Sequence, residues 1–178
     1  MKKKYPYYPI YLDIEDRAVL IVGGGSVCAR KAETMMRYGA RVTVVATEAS
    51  GEIAAWAAEG ALTLRARPYD EEDLEGQSLV IASTDDSCTN ARVARDCRRR
   101  RIPVNVVDVT HLCEFIVPAI VDQGSVHIAI STEGKSPARC ALNGRCALTG
   151  LSSRASFLGS RSSWSETIRP PQSTCGTR

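Results

Sequence analysis

A chain of 178 residues with 44% hydrophobic and 24% charged residues is long enough for one full domain and an appendage, which excludes wholesale disorder and a fibrous protein. A net charge of +3 is too modest to argue for nucleic acid, and no aromatic-basic reader motif accompanies it. No apolar run approaches the roughly 20 residues needed to span a bilayer, and the chain starts with lysines, Tyr and Pro rather than an apolar signal core, so a cytoplasmic protein without membrane contact is expected.

Ala18 to Val22 reads AVLIV, apolar at every position, as suits a strand buried on both faces. It runs straight into Gly23-Gly24-Gly25-Ser26-Val27-Cys28. Gly23 permits a tight turn, Gly24 continues it, and Gly25 lets the backbone approach a pyrophosphate. Cys28 stands where a third Gly or Ala is usual. A helix must follow, because Cys28, Ala32, Met35 and Met36 share one face and Gly39 offers a left-handed stop. Strand, glycine turn and helix together predict dinucleotide binding, with the helix N-terminus receiving phosphate.

VTVVA at Val42 to Ala46 is the second strand. The acid that holds a ribose should end it, yet Thr47 stands there and Glu48 comes slightly late. Glu48 either reaches the ribose hydroxyl or favours the N-terminus of the next helix. No Arg follows it to welcome a 2′-phosphate, which tilts the cofactor toward NAD. Glu48 to Glu59 supplies a helix, and Leu62 to Leu64 a short strand. LVIA at Leu79 to Ala82 is another buried strand, ending in Ser83-Thr84-Asp85-Asp86. Ligands gather outside the carboxyl ends of such strands, so Thr84 and Asp85 are expected at the cofactor. Asp85 or Asp86 may equally be read as a helix N-cap.

The helix from Asp86 to Arg100 turns Val93, Ala94 and Cys97 to one face and ends in the basic run Arg98 to Arg101. Cations there complement the helix dipole; drawing in a polyanionic substrate is the alternative. VNVV at Val104 to Val107 is the last parallel strand, and Asp108 closes it with no helix in plain view to cap. Asp108 is therefore the candidate acid-base residue. Repeated strand-helix units predict an α/β, Rossmann-like parallel sheet. FIVPAIV at Phe115 to Val121, a turn at Asp122 to Gly124 and VHIAI at Val126 to Ile130 then read as a hairpin, with Pro118 demanding an edge or bulge. The seven cysteines lack CxxC spacing and are read as reduced thiols, with no metal site.

The order GGGSVCARKAE, GARVTVVA, IASTDDSCTNARV, NVVD, FIVPAIV, HIAISTEGKSPA resembles the precorrin-2 dehydrogenase and sirohydrochlorin ferrochelatase family, found alone or as the amino-terminal part of sirohaem synthases. The likeness is colinear from Tyr8 to Ala138 and includes the uncommon GGG-x-V-x-x-RK opening. It implies oxidation of precorrin-2 to sirohydrochlorin with NAD as cofactor, and in many members insertion of ferrous iron afterwards, a lyase step. It also implies that Ser26, Val27, Thr47 and Glu48 contact the cofactor and that Asp108 serves both reactions. The substrate is a polycarboxylate tetrapyrrole, for whose rim Arg92, Lys135 and the Arg98 to Arg101 run are candidates. His111 is near enough to Asp108 to assist iron delivery, although a lone loop histidine more often has no chemical part. His127, on a hairpin strand, reads as structural or interfacial. Thr132 falls where some members carry a modifiable serine.

Three segments follow: an NAD-binding domain over 1–113, a hairpin and dimerisation segment over 114–138, and a divergent tail over 139–178. Family members continue after SPA with helices that complete a homodimer. Here the text becomes rich in Ser, Arg and Gly, the pattern of either a reading-frame slip near Ala138 or a different tail. The competing functional reading is a Rossmann-type module that binds NAD(H) and senses redox state without catalysis.

Overall fold

The computed structural model describes residues 7–123 and 126–131. The first of its two compact units, which takes in residues up to Val117, is a parallel sheet with helices on both faces. In chain order it comprises β1 (Ala18–Val22), α1 (Ser26–Arg37), β2 (Arg41–Val45), α2 (Gly51–Ala58), β3 (Thr63–Arg65), β4 (Leu79–Ala82), α3 (Ser87–Arg100) and β5 (Val104–Val106). The strands lie in the order β3-β2-β1-β4-β5, the Rossmann arrangement, with the chain reversing direction across the sheet between β1 and β4. Among the described residues no helix is long and apolar enough to cross a membrane.

The unbroken apolar runs follow from this layering. Val19 and Ile21 join Val42, Val44 and Ile81 beneath Cys28, Ala32 and Met35 of α1 and Ile53 of α2. Leu20 and Val22 point the other way and pack with Val80, Val104 and Val106 against Val93, Ala94 and Cys97 of α3. Both faces of the central strands are thus dry, and every position must be apolar. Burial, with Glu114 and Asp96 nearby, pushes the Cys97 thiol up to about 12, so it behaves as a small hydrophobe. Among the described residues the four cysteines, Cys28, Cys88, Cys97 and Cys113, are free thiols.

Gly39 takes the left-handed conformation expected of it after α1 (φ +78). The second helix starts later than the sequence indicates, at Gly51 rather than Glu48. The reason is a competing turn: the Ser50 amide donates to the Gly24 carbonyl (2.8 Å) while its side chain caps α2 by accepting from Ile53 N. Asp86 is the N-cap of α3, its carboxylate accepting from the Cys88 and Thr89 amides at 3.0 and 3.1 Å. The Thr89 hydroxyl and those amides hold its carboxyl below the ordinary range. At the other end Arg101 adopts φ +57 and stops the helix. The basic run is more than solvated dipole complement. Arg98 donates to the Leu112 carbonyl (3.0 Å), and Arg99 and Arg100 pair with Glu71 at 2.6 and 3.4 Å.

The second unit contributes a hairpin, β6 (Ala119–Gln123) with β7 (Val126–Ile130), paired antiparallel from Ala119↔Ile130 to Gln123↔Val126. Two expectations shift. The strand begins after Pro118, which lacks the N–H a ladder needs, and pairing continues through Asp122, where the turn was expected to open. Phe115 belongs with the first unit: its carbonyl accepts from Asn105 Nδ2 (3.0 Å), its ring packs on the core, and the neighbouring Glu114 amide bonds to Val104 O (2.8 Å). His127 is exposed on β7. Thr132, Lys135 and the 139–178 tail lie outside the described residues.

Between β3 and β4 the chain makes a short 3-10 turn, Glu71–Leu74, closed by a capping box between Asp70 and Asp73. Asp73 is 1% exposed and accepts four hydrogen bonds from three residues: Arg65 Nη1 at 2.5 Å, Arg67 through Nη2 at 2.5 Å and Nη1 at 2.9 Å, and the Asp70 amide at 3.0 Å. Burial alone would raise its carboxyl, and these hydrogen bonds reverse that, holding it below the usual value. A depressed carboxyl contributes stability that is complete above its unfolded pKa and is lost as pH falls through the folded one. Asp73→Ala should therefore cost about 1–3 kcal/mol at pH 7, the range for orphaning buried hydrogen-bond partners. Urea unfolding of both proteins should show the gap narrowing below about pH 3.9, and a gap independent of pH would remove the ionised carboxylate from the explanation.

Candidate functional site

The carboxyl ends of all five strands open onto one crevice of about 870 Å³, a volume within the usual range for cofactor sites. Its floor is backbone. The Gly23 amide donates to Val45 O (2.9 Å), Ser83 N to Val22 O (2.9 Å) and Val107 N to Ala82 O (2.9 Å), so each strand end is tied to its neighbour. Gly23 turns at φ +124, and a Cβ there would lie 2.5 Å from the Ser83 carbonyl oxygen. At Gly24 a Cβ would run into the Glu48 carbonyl. Around Gly25 nothing lies within 4 Å of the same position, so a side chain there would project into open space.

Those three glycines therefore differ in role. The first two are demanded by the protein's own packing and the third leaves room for a ligand. α1 begins directly after Gly25, with neither a side-chain cap nor an acid in its first turn. Its first N–H groups and positive dipole end are left to an anion. This is the shape a dinucleotide's pyrophosphate needs, and the residues fit it. Cys28 fills the position where the motif usually has Gly or Ala. Its thiol donates to Ser83 O (3.2 Å), and burial raises its pKa, which makes it a packing residue rather than a nucleophile.

The residues expected at the site converge. Gly23, Gly24, Gly25, Ser26, Val27, Thr47, Glu48, Thr84, Asp85 and Asp108 all line the crevice. Asp108, exposed, follows β5 with φ +61, a left-handed conformation that Asp tolerates better than most residues. Lys31 on α1 feels its charge: burial and then Arg30 lower the Lys31 pKa, and Asp108 opposes them. Arg92 does not border the crevice. It stacks on the Tyr69 ring (5.4 Å) and pairs with Asp96 (3.7 Å). Arg98 to Arg101 are likewise absent from the lining, and the His111 carbonyl accepts from Arg98 at 3.4 Å.

Several contributors escape a reading of the sequence. The stretch Arg67-Pro68-Tyr69 lines the crevice from beyond β3. Asn90, one turn into α3, grips Thr84: its Oδ1 takes the Thr84 amide at 3.2 Å and lies 2.8 Å from the hydroxyl, and its Nδ2 donates to the Thr84 carbonyl at 2.8 Å. The segment R-x-R-P-Y-D with an Asp three residues on was a visible signal, since Asp70 and Asp73 mark a capped turn.

A parallel sheet in this order, with a glycine turn and an uncapped helix at its switch point, defines a Rossmann-class nucleotide-binding protein. The family model described as "Putative NAD(P)-binding" matches residues 10–119. The chain is 48% identical over 131 residues to the siroheme synthase of Methylococcus capsulatus and 46% identical over 135 residues to that of Nitrosospira multiformis, covering 74% of this chain in each case. It spans only 28% and 29% of those relatives' own lengths. The solved structure of SirC, a precorrin-2 dehydrogenase, superposes with a TM-score of 0.66 at 31% identity, over 83% of this chain and 71% of that one. The chain belongs to the family that comprises precorrin-2 dehydrogenases and the amino-terminal part of siroheme synthases, and NAD is its cofactor.

The open space at Gly25 makes a sharp prediction. Gly25→Asp should melt near the wild-type temperature, because the added atoms meet no protein, yet bind NAD on the order of a thousandfold more weakly. Two like charges about 4 Å apart near a protein surface repel by about 4 kcal/mol. Calorimetric titration of a folded variant with unchanged NAD affinity would exclude the glycine turn as the pyrophosphate site.

Proposed function

We propose that this chain catalyses the NAD-dependent oxidation of precorrin-2 to sirohydrochlorin, with Asp108 as the residue that handles the proton, and that ferrous iron insertion into the product uses the same crevice. The observation that carries the reading is the position of Asp108 at the carboxyl end of β5, sharing one crevice with the glycine turn. Kinship with SirC and the siroheme synthases supports the choice of substrate.

The chemistry fits that position. Dehydrogenation removes a hydride and a proton from the macrocycle, and NAD, when bound, accepts the hydride. The proton needs a base beside the reacting carbon, and the exposed Asp108 carboxylate supplies one. Metal insertion expels pyrrolic protons, which calls for the same kind of base. Ser26 and Val27, at the start of α1, and Thr84, gripped by Asn90, hold the cofactor against that side of the sheet. Lys31, on α1 and within electrostatic reach of Asp108 but outside the crevice lining, adds positive potential that favours a polycarboxylate substrate.

Incubation with precorrin-2 and NAD should yield sirohydrochlorin absorbance and an equal amount of NADH. Asp108→Ala should stay folded and keep NAD affinity while slowing dehydrogenation, and chelation where iron is supplied, by about 10²-fold or more. Asp108→Asn separates charge from shape; full rates in that variant would refute a role as base. NAD binding without turnover in the wild-type chain would point instead to a redox-sensing module.

A further inference from the structure

Beyond the glycine turn the crevice runs out to the β3 edge of the sheet, where Arg67, Pro68 and Tyr69 join Thr47, Glu48 and Ala49 in its wall. The register that sets Arg65 beside Val45, and the bond from the Ala46 amide to Arg65 O (3.2 Å), bring the residues after Arg65 alongside those after β2. In a Rossmann sheet the end of β2 is where the ribose of the adenosine half lies, with the pyrophosphate at the β1 turn between it and the reacting ring. The base therefore falls toward the β3 side.

Of the side chains on that wall, Arg67 is held in one orientation. Its Nη2 and Nη1 lie 2.5 and 2.9 Å from the Asp73 carboxylate, and Nη1 also reaches Pro68 O at 3.0 Å. Arg65 braces the same carboxylate from its own side. Arg67 nevertheless remains 44% exposed, so the grip fixes its plane without covering it. A guanidinium fixed in this way offers aromatic rings a flat cationic face, and the rotamer entropy of ordering it is spent before any ligand arrives. Tyr69, the aromatic residue on this wall, offers no such face. It is 6% exposed, its hydroxyl is turned to Asp96 (3.4 Å) and Arg92 covers its ring.

We propose that Arg67 is the adenine platform of the dinucleotide site, its Asp73-held guanidinium stacking on the purine ring of NAD. The proposal rests on the assignment of the crevice to NAD. A 2′-phosphate is the other ligand an arginine here could take, but Asp73 already holds the Nη1–Nη2 edge and offsets its charge, which leaves only the Nε side to an anion. The face is what stays open.

Calorimetric titration of the full chain with NAD, NADP and ADP-ribose tests this. Arg67→Ala should weaken all three by a similar factor, about tenfold, the scale of a stacked cation on an aromatic ring. Arg67→Lys, which keeps the charge and loses the plane, should fail to restore affinity. Asp73→Asn, which keeps the shape and loosens the grip, should fall between wild type and Arg67→Ala. Melting curves establish that each variant is folded; should Arg67→Ala unfold, Arg67→Met carries the same expectation. Wild-type affinity in Arg67→Ala overturns the proposal, as does full rescue by lysine, which would make charge the determinant. A loss confined to NADP also overturns it, in favour of a 2′-phosphate contact. Wild-type chain that binds none of the three removes the dinucleotide site itself, and the proposal falls with it; binding of all three with no effect at Arg67 removes the platform alone.

Discussion

The structure depends on how closely backbone can approach backbone at the exit of β1. Gly23 sits against the Ser83 carbonyl and Gly24 against that of Glu48, so the ends of β1, β2 and β4 meet with no side chain between them. Any Cβ at either position would push a strand end outward and break the amide bonds that tie Gly23 to Val45 and Ser50 to Gly24. Glycine is required there for packing as well as for conformation. The requirement is independent of ligand, so the crevice floor is formed before any cofactor arrives.

Rigid floor and adjustable walls then follow from one arrangement. The floor consists of strand ends locked by main-chain bonds, and the walls are the short segments that leave them. Each wall segment is tied down by a polar residue behind it: buried Asn90 behind Thr84, buried Asp73 behind Arg67, and half-buried Cys113 behind the end of β5, its sulfur accepting from the Val106 amide at 3.2 Å. Buried polar groups are costly unless satisfied, and these are satisfied by the segments they hold. Loosening any of them would leave the sheet intact and blur the site.

This division explains what could be read from the sequence. The strands AVLIV and LVIA were visible because burial on both faces leaves an unbroken apolar run, and α1 because Cys28, Ala32 and Met35 keep helical spacing. The glycine turn and Asp108 were visible because their positions relative to strand ends are local in sequence. Arg67 was not, since it reaches the crevice only because β3 pairs with β2, and the ion pair that orients it reaches into the 3-10 turn that follows. The late start of α2 has the same origin, as Ser50 is claimed by Gly24, a residue far away in sequence. Pairings across the fold have no periodicity to reveal them. The hairpin was recognisable but its ends were not, because Pro118 and the Asn105 contact to Phe115 decide where β6 can begin.

The sheet order also separates the work of the site. Asp108 leaves from β5 at one edge and Arg67 follows β3 at the other, with the glycine turn of β1 between them. In the proposed assignment a ligand spanning the crevice meets recognition at one end and chemistry at the other, and the distance between the two is set by strands that cannot shift without breaking the floor. Asp108 is held in a left-handed conformation while its flanks are pinned, Val107 N to Ala82 O before it and Val109 N to Val106 O after it. A non-glycine residue keeps such a conformation only where its surroundings over-determine it. Placement of the carboxylate is therefore a property of the β5 exit, which is what the proposed proton-handling role asks of an exposed Asp108.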